Sequence, residues 1–288
     1  MAVYDQGYQP WTGSFTPTKW RFLIIPKYAL KKIFAARGFN TFYLLCFAYP
    51  VMCLLMVYIR NNMAFLKTIT PMRIEMFDIG PLFFYIFVRA QGFLSLIIAF
   101  IAGPALISGD MVNNGLALYF SRPFSRTDYI LGKLMVLIIL LSGITWVPGI
   151  FIFAFQCLLS ETPYFWQNLR IVAGIFITSW LLILIISLSI LAVSAYVRKK
   201  YVARWGFLVL IFMVTGIGEA VNQIFRTQYG SLLRINDLIF YISAQLFNVS
   251  GYLVPSVPGI PCCFVLAGII IVSVILLYRR IQPVEVIR

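Results

Sequence analysis

From Ile171 to Val197 the chain carries no charged side chain at all. A helix rises about 1.5 Å per residue, so the run is long enough to cross a hydrocarbon layer of roughly 30 Å. In lipid the backbone must satisfy its own polar groups, and a helix does so within one segment. Five further apolar runs are expected to cross as well: about Phe39 to Ile59, closed by Arg60, then Pro81 to Ile107, Tyr129 to Leu159, Ala203 to Ala220 and Pro261 to Tyr278. The second is long enough to be tilted or kinked at Gly103-Pro104, and the third contains Pro148. With 61% hydrophobic and 11% charged residues, against about a quarter charged in soluble domains, a soluble fold is excluded. The expectation is an all-α membrane protein with six transmembrane helices, residues 1–288 forming one transmembrane domain.

The net charge of +14 would suit nucleic acid if it were gathered on a soluble face. Instead the Lys and Arg residues flank the apolar runs, so no nucleic-acid partner is expected. They favour one side. Six lie in the amino-terminal arm, three in the stretch between segments two and three, four after segment four and three in the tail, whereas Arg60, Lys67, Arg73, Arg170, Arg226 and Arg234 occupy the other side. By the positive-inside bias both termini are expected in the cytoplasm of an inner or plasma membrane. The chain has no His, and its five Cys lie in or beside apolar segments without C-x-x-C spacing. They read as small apolar residues, and no metal site is expected.

Residues 1–38 form a basic, aromatic arm without the apolar core or cleavage site of a signal peptide, so no cleaved signal is expected. Within it, Tyr28 to Arg37 places Leu30, Ile33 and Phe34 on one side and Lys27 and Lys31 on another. That pattern fits a helix lying in the membrane interface, the alternative being a solvated basic arm. Between segments five and six, residues 221–260 are apolar but broken by Gly, Asn, Ser and Pro. Runs this short suit re-entrant or interfacial helices, with a seventh and eighth crossing as the competing arrangement. The triplet Asn248-Val249-Ser250 matches a glycosylation acceptor.

The polar stretch between segments two and three, residues 108–128, is the most tightly punctuated part of the chain. Ser125-Arg126-Thr127-Asp128 fits a capping box, which would start segment three there. Asp128 also complements the positive end of that helix. Leu116, Leu118, Tyr119 and Phe120 are expected on the wet side, where apolar residues often mark a contact.

The run GPALISGDMVNNGLALYFSRPFSRTDYILGK, residues 103–133, resembles the corresponding connection in ABC-2 type permeases, the membrane subunits of ATP-binding-cassette exporters. The shared features are Gly-Pro before Leu-Ile, an acid at Asp110, Leu-x-Leu-Tyr, Ser-Arg-Pro, Ser-Arg, Tyr and Gly-Lys. The tail RRIQPVEVIR is also similar to the end of many bacterial members. The resemblance implies the ABC-2, type V exporter-like fold, with an amino-terminal interfacial helix and re-entrant outer helices between segments five and six. It implies that Met111 to Phe120 is a coupling helix docking on a separate ATPase subunit. Asp110, Met111, Asn113, Asn114, Leu116, Leu118, Tyr119, Phe120, Arg122, Arg126, Asp128 and Lys133 would then form or frame that contact. No G-x-x-x-x-G-K-[ST] accompanies Gly132-Lys133, which runs on into Leu134. The chain is therefore expected to be no enzyme and to hold no cofactor, ATP and Mg being bound by the partner ATPase. A second permease, the same or related chain, and membrane lipid complete the expected partners.

Arg89 lies about eight residues into segment two, where an unpaired charge costs a few kcal/mol. Either it meets Glu219, near the end of segment five, to close an outer gate, or it snorkels to the headgroups. Other function classes fit less well. A membrane enzyme would call for clustered acids, His or a nucleophile–base pair, and an ion-coupled carrier for more intramembrane acids or an internal repeat. The remaining alternatives are a structural subunit of a larger membrane assembly or, despite that, an ion-coupled carrier.

Overall fold

The computed structural model describes residues 22–62, 78–121, 124–160, 164–251, 254–255, 257 and 259–281. Every regular element among them is helical. Six segments are long and apolar enough to cross a membrane: Arg37–Asn61, Pro81–Val112, Arg126–Leu159, Leu169–Tyr196, Lys200–Phe225 and Pro261–Arg280, called spans one to six below. All six expected segments are present, each within a few residues of its expected limits.

Span four, the run with no charge, is the centre of the bundle. It touches spans two, three, five and six, and Ile175, Ile183, Ile190, Leu191 and Ala195 are wholly buried along it. A helix apolar all round can be enclosed by protein on every side. Span five is the opposite case, with Tyr201, Trp205, Phe212 and Met213 more than half exposed. Its wide apolar face suits lipid or another membrane helix.

Spans one, two and three are each broken once, and proline explains all three breaks. Pro50 cannot donate to the carbonyl of Cys46, so the helix of span one stops at Leu45 and restarts at Ala48. Pro148 does the same after Thr145 in span three, where the Thr145 hydroxyl donates to Leu141 O at 2.8 Å. Pro104 breaks span two, and here neighbours take up the freed backbone. Arg204 of span five donates to Ile101 O at 3.2 Å while its guanidinium stacks on Phe100. Ser194 of span four donates to Pro104 O at 2.7 Å and accepts from Ser108 N at 3.1 Å.

The amino-terminal helix, Ile24–Phe34, begins earlier and ends earlier than expected. Ile25 and Pro26 are buried, and Ile25 lies against Gly132 of span three, where a Cβ would come within 2.9 Å of its Cδ1. The first turn of this helix, with Pro26 in it, is thus packed on span three.

After span five the chain reverses at Arg226, which takes a left-handed conformation with φ 50°. A short 3-10 turn, Tyr229–Leu233, then packs back along span five. Gly218 and Gly230 meet so closely that a Cβ on Gly218 would stand 2.5 Å from Gly230 O. The helix Ile235–Phe247 follows, running beside spans two and four, with Phe240 at Gly92 and Phe247 at Gly174. It is too short to be counted with the six spans. Its end is fixed by Asn248 at φ 56°, and Arg170 of span four donates to Leu246 O at 2.7 Å and Gln245 O at 2.8 Å. Positive charge at a helix carboxyl end is favourable. Asn248, the residue of the glycosylation triplet, thus has a structural role as a helix cap.

Candidate functional site: the clamped turn between spans two and three

Span two continues past its Pro104 kink as far as Val112 and then stops. Asn113 closes it by donating its N–H to Gly109 O at 3.2 Å, and Asn114 turns left-handed at φ 50°. Asn tolerates that conformation better than most residues. A separate helix, Gly115–Phe120, comes next. The continuous coupling helix expected from Met111 to Phe120 is therefore two pieces. Met111 lies in the last turn of span two and packs partly against the core, and only residues 115–120 form the short helix.

Most of the short helix's apolar residues turn inward. The Tyr119 ring packs, tilted, 5.3 Å from that of Tyr129 and 6.2 Å from that of Phe124, and Phe120 lies 6.1 Å from Tyr129. Leu116 is also packed against the core. Leu116, Tyr119 and Phe120, expected on the wet side, are instead half-buried: Tyr119 and Phe120 pack on Tyr129, and Leu116 packs against the core. Leu118 remains outward, 72% exposed.

Beneath this helix lies a clamp. Lys133 Nζ meets Asp110 Oδ2 at 2.7 Å, with the Lys side chain only 6% exposed. The hydroxyl of the fully buried Tyr129 donates to the same carboxylate oxygen at 2.8 Å. The Lys ammonium also lies 5.4 Å from the centre of the Tyr129 ring, a favourable cation–π placement. Burial beside Asp110 pushes the Tyr119 hydroxyl above its ordinary pKa, so it stays protonated. Span two and span three are thus joined through one acid, immediately below the turn.

The turn ends in the expected capping box. Ser125 Oγ accepts from Asp128 N at 3.1 Å, and Asp128 Oδ2 accepts from Ser125 N at 3.2 Å. Arg126, one residue on, points toward span six, its guanidinium 5.9 Å from the Tyr278 ring. Arg122 lies outside the described residues, as does the tail from residue 282.

A second charged group sits in the connection between spans five and six. Arg234 Nη1 meets Glu219 Oε2 at 2.5 Å, and its Nη2 pairs with Asp237. Arg89 lies 5.5 Å from the centre of the Phe240 ring, on the next turn of the Ile235–Phe247 helix. Its charge, like that of Arg234, favours the ionised form of Asp237. Burial outweighs both and leaves the Asp237 carboxyl above its ordinary pKa, with Glu219 adding to the rise. Arg89 and Glu219 belong to one cluster in which Arg234 and Asp237 are the intermediates. Sequence reasoning had not singled out either intermediate. The i,i+3 spacing of Arg234 and Asp237 was the signal available.

All five cysteines are free: Cys46, Cys53 and Cys262 are buried, Cys157 is partly so and Cys263 is exposed. Among the described residues no group of three or more His, Cys, Asp or Glu is placed to hold a metal.

Comparison with known families decides what this architecture is. The model of the ABC-2 family transporter protein matches residues 62–278, three quarters of the chain, including the clamped turn and five of the six spans. The chain belongs to the ABC-2 transporter family. No curated protein matches it. As an ABC-2 permease it is the transmembrane component of an ABC transporter, not the ATPase, and an integral membrane protein. Permeases of this family generally partner with an ABC ATPase.

Proposed function

We propose that this permease serves an exporter, that two permeases, identical or related, form the pathway together, and that a separate ATPase binding ATP and Mg drives it from the cytoplasmic side. In this reading the clamped turn and both termini lie on that side, as the Lys and Arg bias supports. The observation that carries the reading is the Asp110–Lys133–Tyr129 clamp. A docking helix transmits force only if it cannot move independently of the spans. Here Gly115–Phe120 is fixed to Tyr129 by its own aromatic residues, and Tyr129 and Lys133 are fixed to Asp110. Leu118 is the apolar residue that this helix offers outward, with Asn113, Asn114 and Arg122 beside it in the chain and Arg126 and Asp128 framing the start of span three.

The test is purification in mild detergent from membranes of the native host, comparing the unaltered chain with Leu118→Glu. Leu118 is exposed, so the variant should elute as a single species while its ATPase is lost. An ATPase retained equally by both would remove the coupling role of this helix. Purification with other membrane proteins and no ATPase would favour the structural-subunit alternative.

In the same mechanism the Arg89–Asp237–Arg234–Glu219 cluster holds the outer gate, with Ile235–Phe247 as the re-entrant element that moves. Cys262 reports on it, because the buried Sγ donates to Leu238 O of that helix at 3.4 Å. In a Cys263→Ser background, Glu219→Gln should speed maleimide labelling of Cys262, located by peptide mass. Unchanged labelling would detach the cluster from gating.

A further inference from the structure

The amino-terminal helix does not close fully onto span two. Between them lies a recess of about 510 Å³, within the range of sites that take small amphiphiles. One wall is Ile24, Ile25 and Ala29 of the amino-terminal helix, and the other is Ala102, Ala105 and Leu106 of span two. Its polar end carries Asp110, Lys133 and Tyr119 from beneath the clamped turn, with Lys32 at the rim. The lining therefore changes from apolar to charged along the direction in which span two leaves the apolar layer.

The charge balance of the recess is positive. Asp110 is neutralised by Lys133. Among the described residues Lys32 has no acid within ion-pair distance, and residues 22–38 contain Lys27, Lys31, Lys32 and Arg37 and no acid at all. Ala105 is exposed and faces open space in the wall. An occupant must offer an anionic group to Lys32 and hydrocarbon to the alanines. A soluble anion satisfies the first condition only, and a neutral lipid only the second.

We propose that this recess holds one anionic phospholipid of the leaflet on the side of the termini, with its phosphate at Lys32 and the upper acyl chain along Ala102, Ala105 and Leu106. The bound lipid wedges the amino-terminal helix against the base of the Asp110–Lys133 clamp, so leaflet charge reaches the turn between spans two and three. The proposal stands apart from the transport reading, because it concerns binding by this chain alone.

Native mass spectrometry of the purified full chain, titrated with phosphatidylglycerol or phosphatidylcholine in detergent, tests it. The expected result is one retained phosphatidylglycerol per chain and no equivalent phosphatidylcholine. Lys32→Gln should weaken retention about fivefold, the contribution of one Lys at an anionic surface. Ala105→Phe, which fills the recess from an exposed position, should abolish it. Lys27→Gln, outside the lining, should bind as the unaltered chain does. Equal retention of the two lipids, or unchanged binding in Lys32→Gln and Ala105→Phe, would overturn the proposal. Displacement by glycerol 3-phosphate together with full binding in Ala105→Phe would overturn it too, because the site would then recognise a soluble phosphate.

Discussion

The turn between spans two and three and the connection between spans five and six each gather acids and bases at the edge of the bundle, yet they are built differently. In the first, one buried Lys, one acid and one buried Tyr meet, all from two helices adjacent in the chain. In the second, four charged residues from span two, span five and the connection share a partly open space, with Glu219 about half exposed. A buried pair tolerates no missing member, because the survivor is left charged in a poor solvent. A half-exposed network can lose one member to water at little cost. The first region is therefore suited to hold a geometry and the second to change one.

The comparison breaks most directly at Lys133. Asp110→Asn leaves the Lys buried without its counter-charge, and Lys133→Met leaves the acid with only the Tyr129 hydroxyl. Each should lower stability by about 3–5 kcal/mol, and the double variant should recover much of the loss. A double-mutant cycle by thermal unfolding in detergent measures the coupling. Additive losses would mean that the pair is no clamp.

Packing is expected to matter more than charge in the second region, and Gly92 is the place to ask. A Cβ there would stand 2.7 Å from Leu182 Cδ1 and 3.1 Å from Phe240 Cζ, which holds the connection helix against span two. Gly92→Ala should cost about 1–3 kcal/mol by overpacking. It should also raise Cys262 labelling by displacing Ile235–Phe247. A loss of stability without a change in labelling would place the strain in span four instead.

How far each region could be read from the chain follows the same division. The six spans were legible because length and lack of charge are properties of a single segment. The capping box was legible because Ser125 and Asp128 are three residues apart. Asp110 and Lys133 were both singled out, but their pairing depends on how spans two and three cross after the Pro104 kink. Nothing local to Tyr119 and Phe120 announces that Tyr129 will receive them, nor to Leu116 that the core will. Arg234 and Asp237 escaped notice for a stronger reason: their partners are set by the reversal at Arg226 and the Gly218–Gly230 approach. Arg204, one of the four basic residues after segment four, reaches the Ile101 carbonyl only because the break at Pro104 leaves a backbone acceptor open in another span.

A smaller effect is expected at Ser125. Its hydroxyl accepts from Asp128 N, and the box can be halved without touching the clamp. Ser125→Ala should cost about 1 kcal/mol. Because span three starts there, the loss should appear as faster amide exchange in residues 126–129 while the Asp110–Lys133 coupling persists. If the coupling vanished as well, cap and clamp would be a single unit.

The smallest effect belongs to Glu219. Its carboxylate meets Arg234 at 2.5 Å but is half exposed, and Arg234 keeps Asp237 when Glu219 is neutralised. Glu219→Gln should therefore change stability by less than about 1 kcal/mol. Salt should erase even that, since exposed charges are screened over about 10 Å at 0.1 M. The Asp110–Lys133 coupling, shielded from ions, should survive the same salt. Unfolding of both variants across a salt series separates the two regions with one measurement. If Glu219→Gln proved as costly as Asp110→Asn and equally insensitive to salt, the second cluster would be a rigid clamp like the first, unsuited to opening a gate.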